Sequence, residues 1–384
     1  MNEILEKLKG YESHEQLVLL ASRNSIGDEE KDYIEELISL PGFNWYLFLG
    51  IAFVNRVNGV VYQNIKDIKD IPKYVKYFLK TAYFEQKKRT ELHIAQIQEV
   101  EKVLQDNDIK HSFLKGAVLN TLVYEFGERI SSDTDMLVSV NDLDKVVSIL
   151  KEIGYSQGEV YSDVFTPATK KEILFKKLNT YEIVPLAKPV DERHFPFHEL
   201  DINFRLGNDA TIEESESLLM RSSIIGNENY KISSFPIEEF LLFECIHHYR
   251  EAIMVYKIVR GEDLTLYKFM DIHHLLARFG SVIDWDKLLQ ITKEMDRIKD
   301  VYYTLYFTEI LYPQSISEDI LNCFKPEDVS FLDEYRGRDN TDEVYKWKKD
   351  FIHRVFSYDR QIEAMANIKD EDDRFYSIKD TLRE

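Results

Sequence analysis

The chain has 384 residues, and its content of 44% hydrophobic and 31% charged residues is typical of a globular protein. With 49 basic and 69 acidic residues the net charge is −20, which disfavours extended nucleic acid as a partner because a phosphate backbone is also negative. The two cysteines, Cys245 and Cys323, are too few for a disulfide framework or a cysteine-rich zinc site, and they indicate a reducing compartment such as the cytoplasm.

Neither a signal peptide nor a membrane span is expected. Residues 1–10 mix charged and apolar residues and lack a basic start followed by an apolar core. The longest apolar stretch, WYLFLGIAFV at 45–54, is half of the roughly 20 residues that a bilayer requires. We therefore expect a cytoplasmic protein that does not associate with membranes.

Hydrophobic periodicity predicts an N-terminal helical segment over residues 1–105. Its last helix is expected to run from Tyr74 to Asn107. The apolar residues of one face of that helix are Ile94, Ile97, Val100 and Leu104.

Strands enter the pattern in a central segment, residues 106–209, and helices return in a C-terminal helical domain, residues 210–384. The first two predicted strands, 109–114 and 132–140, are each followed by an amphipathic helix. Three further strands, expected to pair antiparallel, are predicted at 172–175, 181–184 and 197–206. These elements predict an α+β fold, with a small mixed sheet between N- and C-terminal helical segments.

The central segment contains a pair of acids at the start of an apolar strand. Strand alternation places Asp133 and Asp135 on one face, where two carboxylates repel each other unless a cation lies between them. Mg²⁺ prefers such oxygen ligands. A D-x-D pair alone is more often a solvated turn, but Asp201 lies in a later predicted strand and could bring a third carboxylate to the same place.

Upstream of the acids, the sequence resembles a phosphate-binding turn. Gly116 follows the first strand and opens a helix, whose free N–H groups and dipole favour an anion. Arg129 could hold a triphosphate or pair with Glu125 at i−4. The other candidate phosphate ligands are Lys115, Ala117 (through its backbone N–H), Ser131 and Ser132.

The run from Leu114 to Val138 resembles the nucleotidyltransferase superfamily with a DNA polymerase β-type core, and most closely its uncharacterised nucleotidyltransferase family. That family pattern has a strand, a glycine turn and helix, a D-x-D strand and a third acid on a later strand. The segments LDINFRL at 200–206, FLLFECIHH at 240–248 and YKFMDIHHLL at 267–276 also resemble the family, so the likeness extends over roughly residues 35–310.

The resemblance implies a bacterial, metal-dependent nucleotidyltransferase. It implies that Asp133, Asp135 and Asp201 are catalytic and hold Mg²⁺, with two ions expected and Mn²⁺ as a possible substitute. A nucleoside monophosphate, AMP by preference, would pass from an NTP to a hydroxyl or phosphate on a small molecule or peptide, with release of pyrophosphate. The nucleotide would be held by Lys115, Gly116, Ala117, Arg129, Ser131 and Ser132.

Two departures from the family pattern leave other functions open. Ala117 replaces the usual second Gly or Ser of the turn, and Asn203 replaces a His of the third-acid strand. One alternative is a catalytically silent protein that binds a nucleotide or a partner. Another is a toxin-like transferase that modifies a protein or a tRNA.

Overall fold

A computed structural model describes residues 3–131, 133–190, 192–207, 210–337 and 343–367. The chain forms two compact units. The described residues of the first unit lie within 3–86, 127–130 and 241–367, and those of the second lie within 87–126 and 131–240. These divisions differ from the predicted boundaries after residues 105 and 209, and the division into three segments stays a prediction.

Helices account for most of the first unit and for part of the second. In chain order the helices are α1 (Glu3–Leu8), α2 (Ser13–Ala21), α3 (Asp28–Ser39), α4 (Trp45–Val54), α5 (Asn58–Ile65), α6 (Lys73–Asp106), α7 (Lys115–Leu122), α8 (Leu143–Glu152), α9 (Lys170–Asn179), α10 (Ile212–Arg221), α11 (Ile237–Ile253), α12 (Val255–Val259), α13 (Leu266–Phe279), α14 (Trp285–Glu294), α15 (Ile298–Leu311), α16 (Glu318–Cys323), α17 (Phe351–Phe356) and α18 (Asp359–Met365).

The long helix α6 forms for the reason that its sequence predicts. Ile94, Ile97, Val100 and Leu104 are all buried, so one continuous apolar stripe holds this helix in place. The observed bounds lie within one residue of the prediction. None of the described helices is both long enough and apolar enough to cross a membrane.

A mixed sheet forms the centre of the second unit, as predicted. The strands are β1 (His111–Phe113), β2 (Thr134–Val138), β3 (Ser156–Tyr161), β4 (Val164–Pro167), β5 (Leu186–Pro189), β6 (Phe197–Asn203), β7 (Ser223–Gly226) and β8 (Lys231–Ser234). Their order is β4-β3-β5-β6-β2-β1-β8-β7, with β2 parallel to β6, β1 parallel to β8 and the other neighbours antiparallel. The central strand β2 is buried along its whole length, which explains its apolar sequence.

Two of the predicted strands are wrong. Residues 172–175 lie within helix α9, because Thr169 and Glu172 form a capping box that starts a helix there. Residues 181–184 form no strand, although Glu182 makes a single bridge to Asn203. The prediction for residues 197–206 is confirmed by β6, but β6 is antiparallel only to β5.

The sequence predicts only helices after residue 210, but this region also contains strands. β7 and β8 form a hairpin that belongs to the central sheet, and a second pair, β9 (Glu334–Arg336) and β10 (Val344–Lys346), lies in the first unit. A 3₁₀ helix, Ser330–Asp333, precedes β9. The mixed sheet therefore draws strands from both sides of the predicted boundary.

Candidate active site

Three carboxylates lie together where β2 and β6 run side by side. The parallel register places Asp135 directly opposite Asp201. Asp133 comes just before β2 and two residues before Asp135, so strand alternation directs both side chains to the same face. The third acid thus lies beside the D-x-D pair, as the sequence predicts, while the chemical role of all three stays a prediction.

The carboxyl group of Asp201 keeps its proton to an unusually high pH. Burial, the largest cause, together with nearby negative charges raises its pKa to about 8. Those charges belong to Asp135, Asp133 and Glu182. The Lys115 ammonium acts in the opposite direction. The clustering of these carboxyl groups therefore favours a proton on Asp201.

Lys115 connects the turn after β1 with these carboxylates. Its Nζ lies 2.7 Å from Oδ1 of Asp135. Helix α7 begins at Lys115, whose φ of +47° lies in the left-handed region, where residues other than glycine are uncommon. Backbone strain of this kind often occurs at functional sites, because the surrounding structure must hold it.

The predicted phosphate-binding turn lies beside the acids as well. Gly116 and Ala117 are buried in the first turn of α7, where backbone N–H groups have no partner within the helix. The N–H of Leu114 donates to the carbonyl oxygen of Asp135 at 3.0 Å, which ties the start of α7 to β2. The start of α7 is thereby fixed next to the carboxylates.

Of the two predicted serine ligands, the structure describes one. Ser131 is largely buried, and its hydroxyl donates to the backbone oxygen of Asp133 at 3.4 Å. Ser132 lies outside the described residues. Ser131 therefore supports the backbone of the acidic pair in the arrangement seen here.

Arg129 forms an ion pair that the sequence did not predict. Its guanidinium donates to both carboxylate oxygens of Asp271 at 2.8–3.0 Å, and both side chains are buried within the first unit. Bidentate pairs of this kind are among the strongest polar contacts in proteins. Any contact between Arg129 and a triphosphate would therefore compete with Asp271, and the nucleotide-binding role of Arg129 stays a prediction.

Sequence reasoning missed a buried polar network on the opposite face of β2. The hydroxyl of Thr134, between the two acids, lies 2.6 Å from Nε2 of His93 and 2.9 Å from Nε2 of His198. Nδ1 of His198 lies 2.6 Å from the hydroxyl of Tyr155. One signal for this network was present in the sequence: Thr134 is a polar residue on the face of the strand opposite the acids, and the residues that follow Asp135 are apolar.

The sequence also matches a known protein family. The sequence profile of a family described as uncharacterised nucleotidyltransferase matches residues 41–313. The chain belongs to this family. The resemblance inferred from the sequence is thus confirmed, and family membership supports nucleotidyl transfer as the general reaction, with a nucleotide as a substrate.

Two further comparisons add little to the assignment of this nucleotidyltransferase. A solved structure, described as an antigenic nucleotidyltransferase-like protein from Paracoccidioides brasiliensis, is 9% identical and aligns over 54% of this chain and 90% of its own. Its TM-score is 0.31, which is too low to establish a common fold. No curated protein sequence matches the chain.

The donor atoms of the site suit a divalent cation of the kind that nucleotidyltransferases use. Three carboxylates offer the oxygen ligands that Mg²⁺ prefers, and the raised pKa of Asp201 reflects charge that a cation would neutralise. As arranged here, however, no three His, Cys, Asp or Glu side chains among the described residues form a group that could hold a metal ion. Lys115 instead places its ammonium on Asp135. The oxygen donors therefore suit such a cation, but the acidic side chains would have to move closer together and Lys115 would have to withdraw from Asp135.

Proposed function

We propose that the protein transfers a nucleoside monophosphate, AMP by preference, from an NTP to an acceptor and releases pyrophosphate. The acceptor would be a hydroxyl or phosphate group on a small molecule or a peptide. The observation that carries this proposal is the parallel register of β2 and β6, with Asp135 opposite Asp201 and Asp133 on the same face. The start of α7 beside these acids supports a phosphate-binding role.

Each part of the site would have a distinct task. Asp133, Asp135 and Asp201 would hold Mg²⁺ or Mn²⁺, which when bound neutralises phosphate charge and lowers the pKa of a bound hydroxyl. The backbone N–H groups of Gly116 and Ala117 would bind phosphate oxygens. Asp201, whose pKa is raised to about 8, would have to lose its own proton before its carboxylate could accept the proton of the acceptor hydroxyl.

The reaction is a single displacement at the α-phosphorus. The acceptor oxygen forms a bond to this phosphorus as the bond to the bridging oxygen of the β-phosphate breaks. The hydroxyl proton passes to the carboxylate of Asp201, and pyrophosphate leaves with the electron pair. A fixed site of this type gains rate mainly by positioning and by stabilising the charge that develops on the phosphate.

Nucleotide binding is the first property to measure. Thermal stability would be recorded with each of the four NTPs, with and without Mg²⁺, for the wild type, for Asp135→Ala and for Asp163→Asn. Asp163 is an exposed acid in the turn between β3 and β4, so its substitution is a matched control. At 100 times its Kd a ligand adds roughly 2.7 kcal/mol, which produces a visible shift.

We expect a Mg²⁺-dependent shift with one NTP in the wild type and in Asp163→Asn, and its loss in Asp135→Ala. A shift that survives in Asp135→Ala would contradict the assignment of the acids. The contact of Lys115 with Asp135 favours a second candidate, a nucleotide-binding protein without turnover. Pyrophosphate release in the presence of cell extract as the source of acceptor separates the two.

A further inference from the structure

The residue between Asp133 and Asp135, the first residue of β2, lies in an unusual position. Thr134 points away from Asp133 and Asp135, into a face of the sheet where Leu200 and Met136 are fully buried. Its hydroxyl is therefore in an apolar interior, where an unpartnered polar group would be strongly destabilising. The structure supplies partners from several parts of the second unit.

We propose that this hydrogen-bonded chain, Tyr155–His198–Thr134–His93 (the Thr134 network), fixes the end of β2 so that the neighbouring carboxylates are held together for metal binding. Its members are positioning residues, because they act on the opposite face of the strand. The inference rests on the proposed function, since it assigns a role within that same site.

The Thr134 network is short-range and fully enclosed. Its three contacts measure 2.6, 2.9 and 2.6 Å, and no member is more than 1% exposed. His93 comes from α6, His198 from β6, and Tyr155 from the residue before β3. The network therefore joins β2 to both a helix and the neighbouring strand, through side chains that water does not reach.

The protons of the Thr134 network can be assigned without conflict. If the hydroxyl of Tyr155 donates to Nδ1 of His198, then the Nε2–H of His198 donates to Thr134. The hydroxyl of Thr134 in turn donates to Nε2 of His93. The reverse direction also gives each of the three contacts one donor and one acceptor. Burial lowers the pKa of His198 well below its usual value, so its imidazole is neutral.

The position of the Thr134 network opposes the repulsion within the site. Asp135 and Asp201 lie opposite each other on β2 and β6, so ionisation of both carboxyl groups would place like charges between these two strands at this end. His198 lies on β6 and Thr134 on β2, so their hydrogen bond connects the same two strands on the other face. Asp133 immediately precedes β2, so the hydrogen bonds of Thr134 hold the end of the strand from which Asp133 extends.

The test compares two substitutions at one residue. Thr134→Val keeps the shape and removes the hydroxyl, whereas Thr134→Ser keeps the hydroxyl. Thr304→Val is the matched control, because Thr304 is also fully buried but its hydroxyl contacts Cys245 in the first unit, at the backbone oxygen and at the thiol. The readout is the affinity for Mn²⁺ alone, measured by calorimetric titration on proteins shown to be folded by circular dichroism.

We expect Thr134→Val to weaken Mn²⁺ binding by about 10-fold or more, the size of effect seen when a group that orients metal ligands is removed. The Mn²⁺ affinity of Thr134→Ser should remain within about 3-fold of the wild-type affinity, and that of Thr304→Val should equal the wild-type affinity. If Thr134→Val fails to fold, Tyr155→Phe removes only the outermost hydroxyl of the Thr134 network, and it should still weaken Mn²⁺ binding measurably.

The outcomes separate this inference from the proposed function. Wild-type affinity in Thr134→Val, or in Tyr155→Phe where that variant has to be used, would overturn the positioning role. If that result is found while Asp135→Ala loses Mn²⁺ binding, the proposed function stands and only the positioning role is overturned. Equal loss in Thr134→Val and Thr134→Ser would also overturn it, because the hydroxyl would then be irrelevant. Absence of Mn²⁺ binding in the wild type would overturn the metal site itself, and the inference with it.

Discussion

Replacing Asp201 by Asn should make the metal-free protein more stable near neutral pH. The folded chain keeps the proton of Asp201 up to about pH 8, whereas the unfolded chain releases it near the ordinary value of 3.8. Because the folded state binds the extra proton between these values, its stability falls as the pH rises through this interval. The uncharged amide introduced by Asp201→Asn does not titrate, so the variant should escape this loss.

The magnitude follows from the width of the interval. Each pH unit above the ordinary pKa destabilises the folded state by about 1.4 kcal/mol, up to the folded pKa. Between pH 3.8 and pH 7 the upper bound is about 4 kcal/mol for wild type relative to Asp201→Asn. Between pH 6 and pH 8 the stability difference should grow by up to about 3 kcal/mol.

Urea unfolding at pH 6, 7 and 8 in EDTA, followed by circular dichroism, measures this difference. Circular dichroism is preferable to fluorescence, because Trp45, Trp285 and Trp347 all belong to the first unit while Asp201 belongs to the second. Asp163→Asn, at an exposed turn, is the control and should run parallel to the wild type. A stability difference between Asp201→Asn and wild type that does not change from pH 6 to pH 8 would refute the reasoning.

Three other substitutions test separate parts of the structure. Lys115→Met removes the ammonium group from Asp135, where it would compete with a bound cation. Calorimetry should therefore show several-fold tighter Mn²⁺ binding, together with weaker ATP binding. Weaker binding of both ligands would contradict competition between Lys115 and the metal ion. Glu101→Ala leaves the backbone N–H and hydroxyl of Ser233 without their buried acceptor, and urea unfolding should show a loss of roughly 3 kcal/mol, with a smaller loss for Glu101→Gln. Gly59→Ala places a methyl carbon 2.3 Å from two backbone oxygens, so the melting temperature should fall clearly, and an unchanged value would contradict the packing.

Features that depend on neighbouring residues were predictable from the sequence. The acidic pair was recognisable because strand alternation acts over two residues, and the apolar residues after Asp135 predicted a buried strand. Helix α6 was predicted within one residue because its buried stripe repeats over many turns. In both cases the signal is a regular spacing of apolar or acidic residues along the chain. Such a spacing can be recognised without knowing which residues pack against that face.

The error at helix α9 shows where periodicity fails. Its run of Ile173, Leu174 and Phe175 favours a strand, but the helix is specified by its first turn, where Thr169 and Glu172 cap each other. No residue of α9 is fully buried, so burial provides no stripe to recognise. Here a capping signal was present in the sequence and outweighed the strand propensity of three residues.

Partners distant in sequence could not be predicted, even where the need for one was visible. Arg129 required an anionic partner, but Asp271 is 142 residues away and has no spacing that identifies it. Thr134 similarly required a hydrogen-bond partner once β2 was read as a buried strand. Its two imidazoles come from 41 residues upstream and 64 residues downstream. The sequence therefore states which residues need partners, and the fold alone decides which side chains meet that need.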